Sequence, residues 1–391
     1  MASPEPVVAT ARAEATRVLA YQQLREMVAT GVISAPTEIP DAHFQPSSLD
    51  LRLGSVAYRL RCSFLPGRER VEDALAAYTM ETLDLERGAV LEQNRPYLIP
   101  LQEELNLPTG FAARVNPRSS TGRLDIFTRV VTDRSEQFDS VAAAYRGKLY
   151  LEVVPRSFTI KVKTGQALCQ LRLLDEGVAN TLPDAAVIAH HDRTPLLFAD
   201  RKPLPLDELH LREGLFLSID LSGRASADGI VGYRARKNSR LLDLAQRDHY
   251  PVEDFWEPVR SEGGRIVVLE PEEFYLLYSR ERVRIPVSLA AEMVAFDPSA
   301  GEVRTHYAGF FDPGFGERSG GLPGAHAVLE VRAHDVPFAI ADGQRLCKLA
   351  FQELSQLSDR AYGSNIGSRY NENDLILLPR QFQSRTSEQR P

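Results

Sequence analysis

Cysteine is scarce in this 391-residue chain. There are three, Cys62, Cys169 and Cys347, set far apart. That spacing offers neither a disulfide framework nor a C-x-x-C metal pair, and it suits a reducing cytosol. Long apolar runs are also missing; none approaches the ~18–20 residues of a membrane span. The opening residues, MASPEPVVATARAEATRVLAY, lack the apolar centre of a secretory leader and carry acids that transit peptides avoid. Positive charge is not in excess: 46 Lys and Arg stand against 53 Asp and Glu, a net charge of −7, with a pI near 5.7. A chain that coats nucleic acid through its overall field is therefore not expected, nor is a membrane partner. A local basic pocket for a phosphorylated small molecule stays open. Hydrophobic residues at 43% and charged residues at 25% permit an ordinary core and exclude wholesale disorder.

What is present is strand texture. The stretch Ala11 to Thr30 predicts one helix, with Val18, Leu19, Leu24 and Val28 near helical spacing and Gly31 as a stop. After Pro36 the chain turns to short apolar runs broken by Gly, Pro, Asn and Asp, such as Ser48–Leu53, Tyr97–Leu101, Phe111–Val115, Leu149–Val154 and Phe158–Val162. That pattern predicts a mainly β protein with many turns.

The chain also repeats itself. Val90-Leu91-Glu92 recurs as Val268-Leu269-Glu270, an offset of 268 − 90 = 178 residues. At the same offset Pro108 matches Pro286, Leu151-Glu152-Val153 matches Leu329-Glu330-Val331, and Gly165-Gln166 with Cys169 matches Gly343-Gln344 with Cys347. So long a period means domain duplication rather than a stack of small repeats. The expected division is a first domain over 1–175, a proline-rich linker over 176–211, a second domain over 212–380 and a polar tail over 381–391.

Two features of the first copy carry chemistry. In Asn116-Pro117-Arg118-Ser119-Ser120-Thr121-Gly122-Arg123, guanidinium, hydroxyl and backbone N–H groups can converge as a phosphate cradle, although a polar turn of this kind also serves as a plain solvated loop. Glu152 lies inside an apolar strand pattern. Buried there, its pKa would rise and suit proton transfer; facing solvent, it would do nothing. Glu330 holds the same place in the second copy, which favours a site over chance.

Ser47-Ser48-Leu49-Asp50, the Arg118–Arg123 turn, Asp139 followed by Leu151-Glu152, and Gly165-Gln166 come in an order that resembles the dCTP deaminase and dUTPase superfamily. The double length resembles a duplicated dCTP deaminase. The resemblance implies two tandem distorted β-barrel or jelly-roll domains, active sites at subunit boundaries, and assembly around a three-fold axis. It also implies residue roles. Arg118, Ser119 and Ser120 would hold the triphosphate or place the attacking water; Arg123 would orient that water and the acid; Glu152 would be the general acid and base; Asp139 would approach the deoxyribose. Mg²⁺ would ride on the phosphates. No zinc is expected, since H-x-E and P-C-x-x-C are both absent. His190-His191-Asp192 reads as a surface loop rather than a metal site.

The second copy departs from that pattern. Phe296, Asp297, Pro298 and Gly301 replace Arg118, Ser119, Ser120 and Arg123, so the cradle is lost. Yet Ala308, Asp312-Pro313-Gly314 and Glu330 keep the hairpin and acid, and Tyr362, Arg369 and Asn373 resemble the family's closing C-terminal segment. The expectation is one composite site, with the cradle from the first copy and the lid from the second. Between the acids, Glu152 is expected to work because it shares its copy with the cradle. Three two-domain chains would fill two three-fold rings, so a homotrimer is expected. The competing readings are a dUTPase or a bifunctional enzyme acting on dUTP as well, and a non-catalytic nucleotide-binding protein; dTTP is a further conceivable ligand.

Overall fold

The computed structural model describes residues 17–175, 181–224, 228–295, 303–305, 309–317, 323–333, 335–363 and 378–383. It is built from antiparallel sheets, as the strand texture predicted. In the first copy, one sheet centres on Ala167–Asp175 and Phe111–Pro117, and a second on Tyr97–Asn106 and Arg146–Pro155. Their alternating apolar residues, among them Leu49, Ile99, Val115, Leu151, Val153 and Leu171, fill the space between the sheets. The second copy repeats this with Arg345–Glu353 and Leu289–Ala295 facing Phe274–Val283 and Ala325–Ala333. Its core includes Leu215, Leu277, Leu329, Val331, Leu349 and Phe351.

Strand register proves the duplication residue by residue. Glu152 pairs with Leu98, and Glu330 pairs with Leu276, each member displaced by 178 positions. Ile33 pairs with Leu105, and Leu197 pairs with Val283. The second pairing moves the domain boundary. The expected linker over 176–211 contains a helix, Asp184–Arg193, and a strand, Leu197–Ala199, that belong to the second copy. Its prolines punctuate elements rather than a tether: Pro183 precedes the helix and Pro203 sits on an edge strand. His190-His191-Asp192 is likewise helical, not a loop. His191 is buried, its Nδ1 accepting from the Leu196 N–H at 3.2 Å and its Nε2 facing the Leu204 carbonyl at 2.8 Å.

Two further boundaries differ from expectation. The first helix is Tyr21–Ala29, because Arg17–Val18 are drawn into a strand beside Leu174–Asp175. The expected tail begins too early: Phe382 is buried among Tyr250, Phe255 and Trp256. Through this cluster a segment of the second copy docks on the first, and Leu242–Asp243 adds a parallel strand beside Ile160–Lys161.

The halves meet along the sheets carrying Phe111–Pro117 and Leu289–Ala295. Val18, Leu174, Ala290 and Leu354 form the apolar part of that contact. Buried Arg172 lies over the Phe310 ring, 3.9 Å from its centroid, and donates to the Ala291 carbonyl at 3.2 Å. Asn116 donates to the Glu292 carboxylate at 2.9 Å. A cation this deep holds the halves in one register because it has partners only in that register.

Candidate active site

A small open cleft lies where the halves meet. The first copy contributes Arg118, Ser119, Gly122 and Arg123 to its lining. The second contributes Asp312, Phe315, Val328, Glu330 and Tyr362, with the aromatic walls Phe310 and Phe311.

The predicted cradle is one short helical turn, Ser119–Gly122, entered through extended backbone at Arg118. The Arg118 carbonyl accepts from the N–H groups of Thr121 and Gly122 at 2.8 and 3.0 Å. Its guanidinium is held from behind by the buried Asp50 carboxylate at 3.2 Å. Burial raises the Asp50 pKa to about 6, against the pull of Arg118. Ser47, in the same motif, donates to the Asp312 carboxylate at 2.6 Å, and Arg172 approaches that carboxylate at 3.5 Å. The Ser47–Asp50 stretch therefore does structural work at the site that the sequence reading did not assign: Ser47 fixes an acid of the second copy, and Asp50 fixes a base of the first. Ser120 is half-buried and does not line the cleft.

Glu330 occupies the opposite wall, on the strand Ala325–Ala333. Burial raises its pKa to about 8; Arg123 opposes the rise and Asp125 adds to it. Its carboxylate packs directly on the backbone of Gly122. A Cβ built there would lie 2.7 Å from Oε1 and 2.8 Å from Cδ. The absence of a side chain at 122 is thus what lets the acid approach the cradle.

Glu152 is placed elsewhere, contrary to expectation. It is the more buried of the two acids, and burial raises its pKa, but its neighbours are Ser63, Arg129 and Asp139. On its face of the sheet, Leu98, Val131 and Tyr150 are covered by Leu60, Phe64, Val71, Ala74 and Leu75 of the same copy. Asp139 stays with it, paired to Arg129 at 2.7 Å and accepting from the Val130 N–H at 2.8 Å. Neither residue lines the cleft. The physical reason is the order of packing: the cradle of the first copy leans on the acid-bearing strand of the second, while the segment 61–78 covers its own.

Asp312 and Tyr362 line the cleft. The Tyr362 N–H donates to the Pro313 carbonyl at 2.8 Å, and its ring lies 5.4 Å from Phe315. Gly314, at φ +88°, makes room for this contact. Ala308, Arg369 and Asn373 lie outside the described residues. Among the described residues no three His, Cys, Asp or Glu side chains gather as a metal site, and no helix is long and apolar enough to cross a membrane.

Comparisons with known proteins cover both halves. Residues 15–177 match the family described as the 2′-deoxycytidine 5′-triphosphate deaminase (DCD) N-terminal domain, and residues 183–382 match the DCD C-terminal domain. A dCTP deaminase, dUMP-forming, of Halobacterium salinarum is 35% identical over 158 residues, covering 38% of this chain and 75% of that relative. Another of the same description, from a Sulfurihydrogenibium species, is 29% identical over 161 residues, 39% of this chain and 81% of that relative. The crystal structure of 2′-deoxycytidine 5′-triphosphate deaminase from Agrobacterium tumefaciens superposes with a TM-score of 0.81 at 42% identity, covering 87% of this chain and all of that one.

Proposed function

The chain belongs to the 2′-deoxycytidine 5′-triphosphate deaminase family, and from that premise we propose that it converts dCTP and water to dUTP and ammonia in the cleft between its halves. The observation that carries the reading is the meeting of Glu330 from one copy with the Arg118–Arg123 turn from the other. Arg118, Ser119 and Arg123 present charge and donors suited to phosphate. The aromatic walls suit a base, and the raised pKa of Glu330 suits an acid that must give and take protons near neutrality.

With a pKa near 8, Glu330 is mostly protonated at pH 7. It donates to N3 of the cytosine ring, which makes C4 electrophilic. The resulting carboxylate accepts a proton as water adds to C4. It then protonates the exocyclic amine, which leaves as ammonia, and it recovers a proton as the C4 hydroxyl becomes a carbonyl. Glu330 ends as it began, and N3 keeps its proton, as uracil requires. Arg123 beside Glu330 steadies the carboxylate phase of this cycle.

Of the carboxyl groups lining the cleft, Asp312 is engaged by Ser47 and Arg172, and Glu330 is held mostly protonated at pH 7. Mg²⁺ would therefore be held by the phosphate oxygens, where it offsets their charge, and the protein would meet the same phosphates through Arg118 and Arg123. Hydrolytic classification, a cytoplasmic site of action and a homotrimer belong to the same proposal; light scattering that returned a stable monomer would contradict the trimer.

Names of the relatives that form dUMP favour a second reading, in which the triphosphate is also cleaved. One assay decides between them. The full chain is incubated with dCTP and Mg²⁺, and ammonia, dUTP, dUMP and pyrophosphate are measured. Ammonia with dUTP supports the first reading, dUMP with pyrophosphate supports the second, and bound but unchanged dCTP refutes both.

A further inference from the structure

Directly after the cradle, Asp125 is fully buried, and its carboxylate pairs with Arg332 of the second copy, itself 3% exposed. The backbone at Asp125 is left-handed, φ +55°, which Asp tolerates better than most residues. Its N–H donates to the Gly122 carbonyl at 2.8 Å, so it closes the turn that bears the cradle. Ser157 donates to the same carboxylate. Arg332 also donates to the Glu272 carbonyl, and its guanidinium is 3.7 Å from the Glu272 carboxylate.

Arg332 lies two residues beyond Glu330 on one strand, so both side chains share a face. Gly122 and Asp125 lie three apart on the opposing turn. The two elements thus touch at two rungs, Gly122 on Glu330 and Asp125 on Arg332.

We propose that Asp125 and Arg332 are positioning residues of the deamination site: their ion pair pins the phosphate turn of the first copy onto the acid-bearing strand of the second and sets the electrostatic setting in which Glu330 exchanges protons. The proposal rests on Glu330 as the working acid. Breaking a buried pair leaves an uncompensated charge, so single removal costs more than the pair contributes. The charged groups acting on Glu330 are Arg123 and Asp125 from the turn; Arg332 follows two residues on along its own strand, and the neutral Tyr278 phenol lies near Arg123 on the neighbouring strand. Arg123 favours the Glu330 carboxylate, whereas Asp125 disfavours it. Removing the Asp125 charge must therefore make Glu330 a stronger acid.

The test uses the full chain as wild type, Asp125→Asn, Arg332→Gln and Arg332→Lys. Asn keeps the left-handed backbone while losing the charge. Two readouts are taken: kcat and kcat/KM for dCTP against pH, and an infrared titration of the protonated Glu330 carboxyl, assigned with Glu330→Gln. Asp125→Asn is expected to lower kcat about tenfold or more and to move both the basic limb and the infrared midpoint to lower pH by about half a unit or more. Arg332→Gln is expected to lose activity to a similar extent, and Arg332→Lys to recover most of it. Unchanged kcat, limb and midpoint in Asp125→Asn, with lowered thermal stability alone, would reduce the pair to a structural bridge and overturn the proposal. Should Asp125→Asn fail to fold, equal activity in the Gln and Lys variants at 332 overturns it. The infrared midpoint needs no turnover, so failure of the wild type to deaminate dCTP would sink the functional reading while leaving the positioning of Glu330 decided by its titration.

Discussion

Substituting Gly122 by Ala isolates the contact between cradle and acid. The backbone at 122 is not left-handed, so Ala adds no torsional strain. Ala also favours a helical turn over Gly, by up to about 1 kcal/mol. The added methyl, however, would sit 2.7 Å from Oε1 and 2.8 Å from Cδ of Glu330. Non-bonded carbon contacts lie at about 3.5 Å or more, so the carboxylate must retreat by roughly 1 Å. Because it is the end of a flexible side chain, it can do so without unfolding the sheet. A misplacement of about 1 Å costs on the order of 10²-fold in rate. Calorimetry should therefore show a melting temperature near that of the wild type, while ammonia release from dCTP falls about a hundredfold and KM changes little. Gly122→Ala with a wild-type rate would refute the placement of Glu330 against this turn, and a collapse of stability would refute the claim that only the acid moves.

The raised pKa of Glu330 fixes a pH dependence. Its protonated form starts the reaction, so kcat/KM should decline as pH rises through about 8; a plateau from pH 7 to 10 in steady-state rates would contradict that order of proton transfers. The same shift bears on folding. A carboxyl whose pKa rises on folding keeps its full stability below the ordinary value near 4.5 and loses part of it as pH climbs toward about 8, so Glu330→Gln should be the more stable variant at pH 9 in denaturant titrations. Phe382→Ala removes a buried ring from the cluster of Tyr250, Phe255 and Trp256 and should cost about 3–5 kcal/mol in the same titration; a cost below 1 kcal/mol would show that the C-terminal segment does not anchor there.

The duplication was legible because register is a local property: Leu151-Glu152-Val153 and Leu329-Glu330-Val331 pair with strands one constant offset apart. That both copies line one cleft is consistent with the chain, where the second copy has lost the counterparts of Arg118 and Arg123 while keeping Glu330 and Asp312. The sequence favoured Glu152 because it shares its copy with the cradle, whereas packing sets Glu330 against that turn. Both strands read alike, and the decision falls to which segment covers which outer face. Phe64, Val71 and Leu75 close the face that bears Glu152. Prolines misled at the boundary, because Pro183 and Pro203 mark element ends as readily as they mark a tether. Asp125 gave no signal at all, because its partner Arg332 lies more than two hundred residues away.

The decisive measurement compares Glu330→Gln with Glu152→Gln in single-turnover deamination of dCTP. Glu330→Gln should slow ammonia formation by about 10²–10⁴-fold, while Glu152→Gln stays within a few-fold of the wild type. The reverse order, with Glu152→Gln inactive and Glu330→Gln competent, would contradict a site shared between the two halves.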